Sequence, residues 1–226
     1  MTDLAALNAI VQTQGAQIAE LQHALGILQD KDEIQQLQFV YGFLLDNRMF
    51  REIADLFADQ GSWIEIGGRG RYCGKDRIHR FLLDVLGNGR WGLLKDEVIN
   101  HVQQQMIINV AGDRQRAQAR ARAEVQGNSP PDTPTFLLAD GIYENEYVRE
   151  NGKWKILSVR VTMTFYAALE RQRVTFQTAP VSTSFPPDVP SEPVARGLGR
   201  QFNPFHFRHP ITGELLRTPA SNPNAD

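Results

Sequence analysis

The sequence predicts an α+β domain in which helices come first and a mostly antiparallel sheet follows. Three observations carry that reading. Apolar residues recur at helical spacing through residues 30–58 and again through 75–86, four β-rich runs follow between 98 and 165, and short turn signals separate those runs. Both ends of the chain differ in kind from this middle.

Residues 4–28 form a heptad stripe. Leu4, Val11, Ile18 and Leu25 share one seam, and Leu7, Gln14, Leu21 and Leu28 the other. So narrow a stripe suits a helix facing a second copy of itself, and Gly15 and Gln14 weaken it. We expect residues 1–29 to be an oligomerisation helix. Asp30-Lys31-Asp32-Glu33 then reads as an N-cap with an acidic first turn, opening a second helix that carries Ile34, Leu37, Val40, Tyr41, Leu44 and Leu45 inward. A break at Asp46-Asn47-Arg48 precedes a short helix with Ile53, Leu56 and Phe57 inward. Ser62 to Ile66 alternates like a strand and stops at Gly67-Gly68, and Lys75 to Leu86 returns to helical period.

The runs 98–110, 115–126, 136–149 and 153–165 read as strands. Gly112-Asp113, Asn128-Ser129-Pro130-Pro131 and Asn151-Gly152 connect them, and the last is a strong hairpin signal because both residues tolerate positive φ. The domain is expected over residues 30–171. Nine of the twelve prolines lie between Pro180 and Pro223, so residues 172–226 cannot continue the sheet. With Phe185, Phe202, Phe205 and Phe207 as apolar anchors, this tail is expected to lie extended across the domain or a neighbouring subunit.

Composition excludes several function classes. A net charge of −2 gives no field for nucleic acid or an anionic membrane, and no apolar run approaches the length of a membrane helix. Arg114, Arg116, Arg120 and Arg122 alternate with alanines, which marks a solvated or interface sheet face and not a nucleic-acid groove. The start, Met1-Thr2-Asp3, lacks a secretory pattern, and Cys73 has no partner for a disulfide, so a cytoplasmic protein is expected. His206 and His209 lack the further ligands of a metal site, and Gly67-Gly68-Arg69-Gly70 lacks the context of a phosphate loop. Activity without metal or cofactor is the expectation.

The order helix, helix, strand, helix, long sheet resembles the SnoaL-like proteins of the nuclear transport factor 2-like superfamily. The resemblance covers roughly residues 31–170. It rests on Tyr41, Asp46, Asp55-Leu56-Phe57-Ala58-Asp59, Gly74-Lys75, Ile78, Phe81, Gly112-Asp113, Gly141-Ile142-Tyr143 and Asn151-Gly152-Lys153-Trp154-Lys155-Ile156. It implies a cone of curved sheet with three helices around a deep pocket. Relatives include ketosteroid isomerases, scytalone dehydratases, polyketide cyclases, limonene epoxide hydrolases and diarylpropane lyases, besides proteins that are not enzymes.

Two sets of catalytic residues emerge. Tyr41 and Glu65 are spaced like the oxyanion-donating tyrosine and the base of ketosteroid isomerases; a phenol can hydrogen-bond an oxyanion, and a carboxylate among Trp63, Ile64 and Ile66 would be a desolvated base. Asp46 and His101 resemble the acid and histidine of scytalone dehydratase, and a histidine oriented by an acid moves protons near neutral pH. Tyr143, Asn145 and Tyr147 share one strand face and, with Trp63, are expected to line an aromatic, hydrogen-bonding pocket. The reading favours a cofactor-independent lyase that removes water or a small carbonyl fragment from an aromatic or polycyclic molecule, in the breakdown of aromatic or lignin-derived compounds. A ketosteroid-type isomerase and a non-catalytic or dioxygenase small-subunit-like protein are the alternatives. A homo-oligomer, a trimer by resemblance to scytalone dehydratase, is the expected assembly.

Overall fold

The computed structural model describes residues 4–128, 135–170 and 208–216. Helix α1 (Leu4–Asp46) leads into a short α2 (Phe50–Asp55); strands β1 (Trp63–Ile66) and β2 (Arg71–Cys73) form a hairpin. Helix α3 (Lys75–Arg80) continues as one wider π-turn over Phe81–Leu86. Four long strands complete the domain: β3 (Ile99–Val110), β4 (Arg116–Gly127), β5 (Thr135–Glu150) and β6 (Lys153–Glu170). They make one open sheet in the order β2-β1-β6-β5-β4-β3.

Two expectations need correction here. No helix begins at Asp30, because α1 runs unbroken through it. Asp30 is 1% exposed and accepts hydrogen bonds from Arg114 Nε (2.6 Å), from Trp154 Nε1 (3.1 Å) and from Arg149. Its carboxylate is therefore a tether between α1 and the sheet, and Gly26 leaves the space that the Arg114 guanidinium fills. Arg114 accordingly leaves the solvated arginine face, on which Arg116 and Arg120 remain exposed while Ala117, Ala119, Ala121 and Ala123 point inward. The sheet is mixed, because β1 pairs with β6 in parallel; β2 was not foreseen in a run of three residues.

Curvature comes from irregularities in the ladders. The register shifts between Gln104 and Ile107 on β3 and at Asp140/Gly141 and Glu146/Tyr147 on β5, and such bulges bend and twist a strand. The concave side receives the C-terminal half of α1, where Ile34, Leu37, Tyr41 and Leu44 are buried at helical spacing, together with α2 and α3. Gly42 permits this approach, since a Cβ there would meet Gln103 Nε2 at 2.6 Å. Residues 4–25 behave differently: every one is exposed, so this half of α1 projects from the domain.

At the other end of the chain, residues 208–216 dock onto the same domain. His209 is buried; its Nδ1 accepts hydrogen bonds from the backbone of Ile211 and Thr212, and Nε2 donates to the Glu52 carbonyl at 2.9 Å. Leu216 joins the core. His206 and the four phenylalanine anchors lie outside the described residues.

Candidate active site

A cavity of about 280 Å³ opens between the concave sheet and the ends of the helices. It exists because the inward positions there are small: Ala123, Gly127, Ala139 and Gly141 form much of its floor, leaving volume that larger residues would fill. Leu45, Phe50, Ile99, Val161 and Met163 make the walls apolar. The polar groups among the lining residues are few: Arg48, Arg69, His101, Tyr143 and Tyr166.

His101 and Asp46 come together from different elements. Asp46 is the last residue of α1, and His101 lies near the start of β3. One oxygen of Asp46, Oδ1, accepts a hydrogen bond from the His101 backbone N–H (2.6 Å) and lies 2.9 Å from Nδ1 of the ring. A carboxylate can only accept, so Nδ1 carries a proton, and in the neutral ring it is Nε2 that has the lone pair. The result is an imidazole fixed in one tautomer on the cavity wall, 10% exposed, with its free nitrogen available as a base.

Tyr143 also lines the cavity. Burial raises its pKa well above the ordinary tyrosine value, with further contributions from Tyr41 and from the negative charge of Asp46, so the phenol stays protonated and can donate. Tyr41 packs edge-on against the Tyr143 ring, with centroids 6.3 Å apart. It is fully buried behind the cavity wall and faces Tyr143 without a well-formed hydrogen bond.

The remaining expected residues are placed elsewhere. Glu65 and Trp63 lie on the face of β1 turned away from the cavity, while Ile64 and Ile66 point inward. Arg71 reaches across this outer face, 3.6 Å from the Glu65 carboxylate and 3.6 Å over the Trp63 ring. Alternation along the strand admits one face only, and the two isoleucines take the apolar side. Asn145 and Tyr147 do share the inward face with Tyr143. They are engaged below the cavity, where Tyr147 donates to Gln38 Oε1 at 2.7 Å and Asn145 donates to the same oxygen at 3.0 Å. These two therefore hold α1 to β5.

Sequence reasoning missed Arg48, Glu97 and Arg69. Arg48 is buried in the cavity wall, pairs with fully buried Glu97 at 2.8 Å and donates to the Leu86 carbonyl at 3.1 Å. Arg90 holds the other side of Glu97 at 3.1 and 3.3 Å. The break after Asp46 was the only sequence signal: Arg48 has φ +53, a left-handed conformation that ends the helix and is uncommon outside glycine. Among the described residues, no three metal-ligating side chains cluster.

Known proteins supply the family. A family model described as the SnoaL-like domain matches residues 26–160, more than half of the chain. The chain belongs to the SnoaL-like domain family. Solved structures agree with this SnoaL-like fold. A protein assigned as a scytalone dehydratase from Novosphingobium aromaticivorans is 17% identical, with a TM-score of 0.53 over 67% of this chain and 97% of its own. A type 2 hexachlorocyclohexane dehydrochlorinase, LinA, is 21% identical, with a TM-score of 0.55 over 70% of this chain and 97% of its own. An NTF2-like protein with a cystatin-like fold, also from N. aromaticivorans, is 18% identical, with a TM-score of 0.50 over 73% and 92%. No curated protein matches the chain in sequence. At these identities the solved structures establish the shared fold, and the function has to be argued from the SnoaL-like site itself.

Proposed function

We propose that the protein is a cofactor-independent lyase acting on an aromatic small molecule, with His101 as the base. The observation that carries this reading is the Asp46–His101 pair on the cavity wall: a 2.9 Å contact to Nδ1 that, in the neutral ring, makes Nε2 the nitrogen with the lone pair. In the proposed reaction Nε2 removes a proton from a carbon next to the leaving group, the bond to that group breaks, and a conjugated double bond forms. Where the leaving group is hydroxide, the imidazolium returns the proton and water departs. Asp46 stabilises the imidazolium, and Tyr143 donates to an oxygen on which negative charge develops. For removal of a small carbonyl fragment the same base takes the proton of that fragment's hydroxyl, and the C–C bond to the fragment breaks. Its electron pair forms the conjugated double bond as hydroxide leaves the neighbouring carbon and takes up the proton from the imidazolium.

Two proteins of this fold, those assigned as a scytalone dehydratase and a dehydrochlorinase, are named for eliminations. That agreement supports the class of reaction by analogy. The ketosteroid-type alternative loses its support, because its two residues do not meet: Tyr41 is behind the wall and Glu65 is outside it. The test is product analysis by mass spectrometry after incubation with a panel of lignin-derived aromatic alcohols. Wild type is expected to yield a product lacking water or formaldehyde, and Asp46→Asn and His101→Asn to yield it far more slowly. A product of unchanged mass would instead favour an isomerase.

A further inference from the structure

The charges around the cavity are one-sided. Among the described residues that line it, none is acidic, whereas Arg48 forms part of the wall and Arg69 lies exposed at the mouth. Glu97 is shared between Arg48 and Arg90. Asp46 sits behind the imidazole that it orients. Counting both acids against Arg48, Arg69 and Arg90 leaves one positive charge even with His101 neutral. Arg48 and Arg69 also sit in or beside positive-φ backbone. Arg48 occupies a left-handed conformation, fixed by Glu97 and the Leu86 carbonyl, and a strained residue so over-determined is a mark of positioning. Arg69 rides on a turn whose Gly67, Gly68 and Gly70 all have positive φ. A Cβ on Gly67 would lie 2.9 Å from Arg69 Nη1 and 3.2 Å from Met163, so glycine there lets the arginine fold back toward the mouth.

We infer that the substrate is anionic, an aromatic carboxylate whose charged end is recognised by Arg69 at the mouth, with the net positive charge of the Arg48–Glu97–Arg90 cluster behind it in the wall. Guanidinium and carboxylate match in charge and in planar geometry, and the apolar walls strengthen the attraction by excluding water. This inference deepens the lyase reading by naming its substrate class, yet binding can be measured without turnover.

Isothermal titration calorimetry of the full chain with 2-naphthoate and with 2-naphthamide separates charge from shape. A charge-assisted hydrogen bond to a carboxylate predicts that the acid binds about tenfold tighter or more. Arg69→Gln should cut this preference several-fold with an unchanged melting temperature. Arg48→Gln removes one positive charge and leaves Glu97 balanced by Arg90, so it should cut the preference several-fold, whereas adding Glu97→Gln restores the net charge and should restore much of the preference. His101→Asn keeps both arginines and should retain it; retained preference together with wild-type turnover in that variant would sink the lyase reading alone. Equal affinity for acid and amide, no binding of the acid, or a preference unchanged in both arginine variants overturns the inference.

Discussion

At the scale of single residues, the pair of contacts from His101 to one oxygen of Asp46 fixes which ring nitrogen is free. That has a direct spectroscopic consequence. In a nitrogen-15 NMR spectrum of histidine-labelled protein, neutral His101 should show a protonated Nδ1, the minor form in water, and Asp46→Asn should weaken that preference. The three buried phenols give a second prediction. Burial raises the pKa values of Tyr41, Tyr143 and Tyr147 above the ordinary value near 10. The unfolded chain then loses these protons at lower pH than the folded one. Their contribution to stability is complete below about pH 10 and declines as pH rises beyond it. Tyr41→Phe should melt close to wild type at pH 7 and lose less stability in alkaline solution, as followed by circular dichroism. The Asp46–His101 pair was legible in the sequence because family spacing marked both positions. Glu65 was not resolvable, since period-two alternation does not say which face turns inward.

At the scale of elements, α1 has two halves with opposite fates. Its C-terminal half is tied to the sheet through Asp30. Burial works against that carboxylate's charge, but the Arg114 and Trp154 hydrogen bonds and the Arg149 charge outweigh it and hold the pKa down. Stability from Asp30 is therefore present above the ordinary carboxylate range and lost as pH falls through the lowered pKa. Asp30→Asn leaves the partly exposed Arg114 and Arg149 guanidinium groups without their counter-charge, and it should lower the stability of the fold. A denaturant titration at pH 7 would register it. From sequence, an acid before a run of charges looks like a cap, because capping is a local signal and Arg114, Arg149 and Trp154 are distant in the chain. The N-terminal half, by contrast, leaves Leu4, Leu7, Val11, Ile18, Leu21 and Leu25 exposed along its length. We propose that it pairs with the same helix of other copies, in a trimer. Deleting residues 1–25 should lower the number of chains per particle measured by light scattering, and a deletion that leaves that number unchanged would refute the pairing.

At the scale of the whole molecule, the order of elements was legible and their closure was not. Helical and strand periods, with the Asn151-Gly152 turn, located the long strands to within a few residues. The bulges that curve them, and the parallel pairing of β1 with β6, depend on contacts remote in sequence. The cavity follows from that curvature acting on a set of small inward residues, and filling it tests its use. Ala139→Leu should block binding and turnover while leaving the fold intact, since the added atoms enter empty volume. We propose that His101, and not Glu65, moves the proton. This is tested most directly by comparing kcat for His101→Asn and Glu65→Gln on one substrate, with thermal melts as the folding control. The structure predicts a fall of about 10²–10⁴-fold for His101→Asn, and a rate near wild type for Glu65→Gln. A folded His101→Asn that turns over at the wild-type rate, or a Glu65→Gln that is the more impaired of the two, would contradict it.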